Sequence, residues 1–286
     1  MASDPHRLSP WLTVLAVLAT LLALVLVGRD AYRHAESATS ADFPQRTRAG
    51  GLPVAALREP QAPVADRALP PPVVAPEPVV VPPGGGAEEP IVRVRDGERV
   101  ALHRSPGGKV VAEVDDETPF GSTTAFSVNR SRPGWLGVPS EELPNGELAW
   151  VRADPEELRG ETTPYRIVVD LSAHEARLRR AGDVVREWPV TVGTAATPTP
   201  TGSYSVTDLI EGGLNPVYGC CAIAISATQP YLPAGWTGGD RIAFHGNGTG
   251  EALGLDASNG CIRSPDGVLR DVIATVPLGT PVRITE

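Results

Sequence analysis

The chain divides by its hydrophobic pattern before any single residue is considered. Trp11–Gly28 is an unbroken apolar run without a charged side chain. It reaches the length of the shortest membrane-spanning helices and exceeds the apolar core of a cleavable signal peptide. We read residues 1–34 as a tail with an uncleaved membrane anchor. A signal peptide cleaved near Ala35–Ser37 and a buried core helix are the alternatives. From Ala35 to Pro90 the apolar periodicity vanishes, and Pro-rich then Gly-rich sequence predicts a semi-extended, disordered linker.

Alternation returns at Ile91. "IVRVRDGERVALHRSPGG", "GWLGV" and "LPNGELAWVRAD" read as short strands with frequent turns, which predicts a small β-barrel over residues 91–155. Trp135 and Trp150 are expected in its core. "ADPEELRGETTP" (Ala153–Pro164) reads as a polar joint. A second β-rich domain is expected over 164–286. Its strands are "YRIVVDL", a hairpin over Glu175–Gly193 turning at "AGD", "AIAISA" and "RIAFHG", with "TPTPTGSYSVTDL" as a rigid loop entering a strand. Val268, Leu269, Val272, Ile273 and Val276 fall at helical spacing, and "GTPVRITE" closes with a strand. No internal repeat is present.

Composition narrows the partners. A formal charge of −9 over 286 residues argues against nucleic acid. Lys109 is the only lysine, and the Arg, Ala, Gly and Pro bias points to a GC-rich bacterial genome. One basic residue of fixed charge, Arg7, precedes the apolar run, whereas Arg29 and Arg33 follow it. The positive-inside rule alone would keep the C-terminus in the cytoplasm. The chemistry below argues for the outside, and long domains often translocate despite small charge differences.

That chemistry lies in "HGNGTGEALGLDASNGCIRS" (His245–Ser264). A thiol attacks carbonyls as the thiolate, and a nearby His can take its proton. His245 ends an apolar strand. Cys261 follows Gly260 and is expected just before a helix, whose N-terminus would favour the thiolate and offer N–H groups to an oxyanion. Gly260 admits close backbone approach, and Ser258 and Asn259 can hydrogen-bond the loop into shape. Zinc binding by Cys220, Cys221, His245 and Cys261 lacks the usual ligand spacing. A buried thiol beside a core histidine is the bland alternative. Cys220 and Cys221 are expected as two small core residues, with a vicinal disulfide as the alternative outside the membrane. His6, His34, His103 and His174 are expected at the surface or in turns.

"HG" at a strand end, twelve residues from Gly246 to Ala257, and then "SNGCIR" resemble the signature of the L,D-transpeptidase (YkuD-like) catalytic domain. "TPTPTG" and "LGTPVRI" match further landmarks, so the likeness spans Tyr165–Thr285. The preceding stretch resembles bacterial SH3-like modules. The resemblance implies a mainly β fold: an L,D-transpeptidase-type β-sandwich with a short helix after the cysteine, plus an SH3-like β-barrel. It implies Cys261 as nucleophile and His245 as general base, with the Gly246 carbonyl or a nearby polar group orienting the imidazole. The N–H groups of Cys261 and Gly260 would form the oxyanion hole. Arg263, with Ser258 and Asn259, would order the loop or contact substrate. Asn259 stands where many members have a second His, and Ser264 where a larger apolar residue is common, which leaves the pocket shape open.

The implied substrate is the peptidoglycan stem peptide. A thioester on Cys261 would be resolved by a neighbouring stem's amine, giving a 3→3 cross-link, or by water, giving L,D-carboxypeptidase activity. No metal or organic cofactor is needed. A non-catalytic wall-binding protein is the rival from another class. The expected location is the extracytoplasmic space, cell wall or periplasm, tethered to the cytoplasmic membrane, and the expected state is a monomer.

Overall fold

The computed structural model describes residues 87–236, 239–248 and 250–286. The anchor, and the linker up to residue 86, lie outside the described residues. No helix among the described residues is long and apolar enough to cross a membrane. The fold is mainly β: eighteen strands and one α-helix among the described residues.

The first eight strands are β1 (Glu89–Val94), β2 (Arg99–His103), β3 (Val110–Asp115), β4 (Ala125–Ser127), β5 (Arg130–Arg132), β6 (Trp135–Pro139), β7 (Leu148–Arg152) and β8 (Leu158–Thr163). They form a three-stranded sheet, β4-β1-β8, and a five-stranded sheet, β3-β2-β7-β6-β5. Val92, Leu102, Val138, Val151 and Leu158 fill the core between them. Period-2 alternation sends one set of side chains inward and the other to solvent. Trp135 and Trp150 belong to the outward set. Both are half-buried, and Trp135 meets His103 edge to face at 4.9 Å. The expectation that they fill the core is therefore corrected.

The polar joint is corrected as well. Leu158–Thr163 is β8, paired antiparallel along the whole of β1. Its polarity misled because only Leu158 and Thr163 at its two ends are buried.

The remaining strands are β9 (Tyr165–Asp170), β10 (Glu175–Arg180), β11 (Asp183–Pro189), β12 (Val192–Gly193), β13 (Gly202–Ile210), β14 (Ala222–Thr228), β15 (Arg241–His245), β16 (Asp256–Ser258), β17 (Ile262–Arg263) and β18 (Pro281–Thr285). Eight of them make one sheet in the order β11-β10-β9-β18-β13-β14-β15-β17, and β12 pairs with β16. The β10–β11 hairpin turns on Ala181 and Gly182, both at positive φ (52° and 95°), as the right-handed twist of a two-residue hairpin demands. The helix α1 (Asp266–Ile273) lays Leu269, Val272 and Ile273 against the sheet. Its apolar spacing at three and four residues dictates that face. Trp188, Tyr204, Ile225, Phe244 and Ile262 lie in the same core.

The two groups of strands contact each other through polar links. The N–H of Ser127 donates to Ser205 Oγ at 2.8 Å. Arg166 pairs with Glu89 at 2.6 Å, and Arg241 pairs with Glu141 at 2.6 Å.

Chain entry into β14 differs from expectation. Cys220 and Cys221 are joined to each other by a disulfide, rather than standing as two reduced core residues. Cys221 is buried and its carbonyl accepts from the N–H of Gly246 at 3.1 Å. Cys261 is the free cysteine of the described residues. Thiol titration of denatured, unreduced protein should therefore find one thiol, rising to three after reduction. Three thiols before reduction would remove the disulfide.

Candidate active site

The loop before Cys261 is fixed by its carbonyls. Ser258 O accepts from the N–H of Thr194 at 3.0 Å and from Thr197 Oγ1 at 3.1 Å. Asn259 O accepts from Gln229 Nε2 at 3.0 Å. Gly260 O accepts from Thr199 Oγ1 at 2.8 Å. Cys261 O accepts from Ser258 Oγ at 2.6 Å. Four consecutive carbonyls thus have assigned donors, three of which come from the loop between β12 and β13. The threonines of "TPTPTG" serve here as clamps. Gly260 sits at φ +111°, and a Cβ there would lie 2.2 Å from Gln229 Nε2. That conformation and that proximity both require glycine.

Two expectations for this loop change. Cys261 does not precede a helix directly: β17 intervenes, and α1 begins at Asp266, five positions on. The N–H of Gly260 is also engaged, donating to Ser258 Oγ at 3.1 Å, so it is not a free oxyanion donor.

The histidine side is held by α1 instead. Asp266 Oδ1 accepts from the N–H of Asn247 at 2.9 Å. A Cβ on Gly246 would lie 2.3 Å from that oxygen and 2.7 Å from the nitrogen of Cys220. The "HG" glycine thus permits the strand end to pass between α1 and the disulfide-linked turn. His245 is only 6% exposed. Its Nδ1 lies 2.8 Å from the carbonyl of Gly246. A carbonyl can only accept, so Nδ1 carries the proton in the neutral ring and Nε2 keeps its lone pair. Tyr218, from the short turn Pro216–Tyr218, packs edge-on against the imidazole at 5.1 Å and 87°.

Cys261, His245, Asn259 and Arg263 line one cavity of about 590 Å³, including its open mouth. Trp236 and Leu232 border it from the β14–β15 connection. Burial governs the charge states there. Removal from water pushes the His245 imidazole down to about 4, with the nearby Arg263 adding to the effect and the Gly246 carbonyl and Asp266 opposing it. Burial pushes the Cys261 thiol up, against a hydrogen bond from the Ala243 backbone and the charge of Arg263. Both shifts favour the uncharged forms. Arg263 is itself paired with Glu251.

Of the other sequence expectations, Ser264 is fully buried and accepts from Trp188 Nε1 at 3.2 Å. It packs beneath the site and does not shape the cavity. His174 lies in a turn at positive φ and pairs with Asp256 at 2.8 Å. Sequence reading missed Gln229, Tyr218 and Asp266. A Gln and a Tyr carry no signal without a partner, and Asp266 reads as an ordinary acidic residue of a helical first turn.

The YkuD L,D-transpeptidase catalytic-domain model matches residues 164–284. The chain is 30% identical over 125 residues to a Bacillus licheniformis protein named as an L,D-transpeptidase, YkuD, covering 44% of this chain and 68% of that one. It is 32% identical over 130 residues to the Bacillus subtilis protein YqjB, named in the same way, covering 43% and 72%. Among solved structures, the catalytic domain of the E. faecium L,D-transpeptidase is 27% identical, with a TM-score of 0.29, over 42% of this chain and 96% of that one. The two Bacillus relatives and the matched residues establish that this chain belongs to the YkuD L,D-transpeptidase family.

Proposed function

We propose that the protein forms 3→3 cross-links between peptidoglycan stem peptides through a thioester on Cys261. The observation that carries this reading is one cavity lined by both Cys261 and His245, with Nδ1 of His245 2.8 Å from the Gly246 carbonyl. That bond leaves Nε2 to accept a proton.

The neutral resting pair defines the first step. Nε2 of His245 takes the thiol proton as Sγ of Cys261 bonds to the carbonyl carbon of the L-centre of the donor's third residue, general-base catalysis rather than attack by a standing thiolate. The developing oxyanion takes the N–H of Cys261, since that of Gly260 is occupied. The C–N bond to the terminal D-Ala breaks, and the proton on His245 passes to the leaving amine. A side-chain amine of a second stem then attacks the thioester and gives a proton back through His245 to Sγ. Water in place of that amine gives the L,D-carboxypeptidase outcome. Arg263, which is ion-paired with Glu251 and borders the cavity, would meet a substrate carboxylate.

The remaining parts suit work on the wall from the membrane. Residues 1–34 would anchor the chain and 35–90 would tether it. The β1–β8 unit would act as an SH3-like module ahead of a catalytic domain over 164–286, with everything beyond the anchor outside the cytoplasmic membrane.

Three outcomes are expected. Cys261→Ser should keep the fold and lose cross-linking of defined muropeptides by mass spectrometry; wild-type turnover would end the nucleophile assignment. A carbapenem, whose strained β-lactam carbonyl is an activated amide, should add once per chain, mapping to Cys261 and not to Cys220 or Cys221. His245→Ala should slow that adduct at neutral pH and recover partly as rising pH ionises the thiol.

The pH profile follows from the shifts. With the imidazole lowered to about 4, it stays unprotonated and able to accept a proton throughout the weakly acidic range. Carbapenem acylation should thus change little from about pH 7 to about pH 5 and fall only nearer 4. Direct alkylation of Cys261 in His245→Ala, which needs the thiolate, should instead climb with pH into the alkaline range, because burial raises the thiol. An acylation rate falling through pH 6.5 would contradict the buried, neutral imidazole.

A further inference from the structure

The connection between β6 and β7 reaches out of the first group of strands and grips the second at two points next to Cys261. Its base is rigid, since Leu143 is buried in the first core. Glu141 pairs with Arg241 at 2.6 Å, and both side chains are nearly enclosed, at 15% and 10% exposure. Arg241 also donates to Thr207 Oγ1 at 3.0 Å and lies 3.8 Å from the wholly buried Asp208. Asp208 in turn accepts from Thr118 Oγ1 of the first group. The backbone carbonyl of the same Arg241 lies 3.9 Å from Cys261 Sγ.

Asn145 makes the second grip. Its Nδ2 donates to Thr228 O at 2.6 Å, and its Oδ1 accepts from the N–H of Thr228 at 3.0 Å. A side-chain amide thereby completes both backbone bonds of Thr228 as a neighbouring strand would, where the β14–β15 register shifts. The next residue is Gln229. Its N–H donates to Asp240 O at 2.7 Å, and its Nε2 donates to Pro198 O at 3.1 Å and to Asn259 O at 3.0 Å. The route from Asn145 therefore ends on the loop carrying Cys261.

We propose that Glu141 and Asn145 are positioning residues of the active site: the β1–β8 unit sets the nucleophile loop through Arg241 and through Thr228–Gln229. Neither residue touches substrate. The proposal rests on Cys261 being the nucleophile, and it predicts that the transferase site is fully competent only with the first unit docked. The physical reason is geometric. Both grips hold the open end of the β14–β15 ribbon, and displacement of that end moves Arg241 O and Gln229 together. An error on the order of 1 Å in a reacting group can cost up to about a hundredfold in rate.

The test uses the full chain and four variants: Glu141→Ala, Glu141→Gln, Asn145→Ala and, as a remote control, Arg99→Gln, which breaks an exposed ion pair with Asp115. The first readout is the rate of carbapenem acylation at saturation, taken together with the half-saturating concentration. Glu141→Ala and Asn145→Ala should slow the saturating rate roughly tenfold while the half-saturating concentration stays within a few-fold. Glu141→Gln, whose amide oxygen still accepts from Arg241, should recover most of the loss, and Arg99→Gln should match wild type. Wild-type rates in both alanine variants, or equal loss in Glu141→Gln and Glu141→Ala, would overturn the proposal. Alkylation of Cys261 by iodoacetamide, in variants whose thermal unfolding remains cooperative, separates this from the catalytic reading. If wild type forms no carbapenem adduct, the function proposed above fails, yet a several-fold change in alkylation in the alanine variants still supports positioning. Unchanged alkylation refutes it.

Discussion

The site depends on how the backbone of Ser258–Cys261 is satisfied. Each of the four carbonyls has a donor: Thr194 and Thr197, Gln229, Thr199 and, from within the loop itself, Ser258 Oγ. Buried polar groups left without partners cost on the order of 1–3 kcal/mol each. The threonine-rich segment before β13 supplies the donors to the Ser258 and Gly260 carbonyls. Gly260 at positive φ is the kink this arrangement needs.

The same enclosure sets the electrostatics. Satisfying the loop with protein donors excludes water, and the exclusion raises the thiol and lowers the imidazole. An ion-paired thiolate would need stronger compensation than the surroundings offer. Arg263 favours the thiolate but disfavours the imidazolium, and Glu251 already holds the guanidinium. Both shifts favour the uncharged forms of the thiol and the imidazole at rest. The Gly246 carbonyl matters more in such a site than in an ion pair, because it selects the tautomer before any charge exists.

What was legible in the sequence was local. Short apolar runs located β14 and β15, "YRIVVDL" read directly as β9, the turn at "AGD" located the β10–β11 hairpin, and helical spacing located α1. That His245 and Cys261 line one cavity was readable only through a signature, because the parallel pairing of β15 with β17, next to Cys261, is non-local. Three misreadings have physical causes. β8 looked like a joint because an edge strand can be polar on most of its length. Trp135 and Trp150 looked like core because size suggests burial, whereas alternation puts them on the outer face. The helix seemed adjacent to Cys261 because a two-residue strand such as β17 leaves almost no trace in composition.

The displaced helix alters how the fold divides its labour. With α1 starting beyond β17, its first residue, Asp266, braces the histidine side through the N–H of Asn247, and its apolar face packs behind the sheet. The cysteine side is braced from the opposite direction, by the threonine loop and by Gln229. His245 and Cys261 are thus braced from different directions and joined by the β15–β17 pairing, where His245 lies opposite Arg263 and Phe244 opposite Ile262, and by Arg241 of β15, whose carbonyl lies 3.9 Å from Cys261 Sγ. A change at the Asn145–Thr228 contact should reach the sulfur through Gln229 and leave the imidazole on the Gly246 carbonyl. A change at Asp266 should disturb the imidazole's support first, and the disulfide-linked turn at Cys220–Cys221 lies on that same side, one hydrogen bond from Gly246.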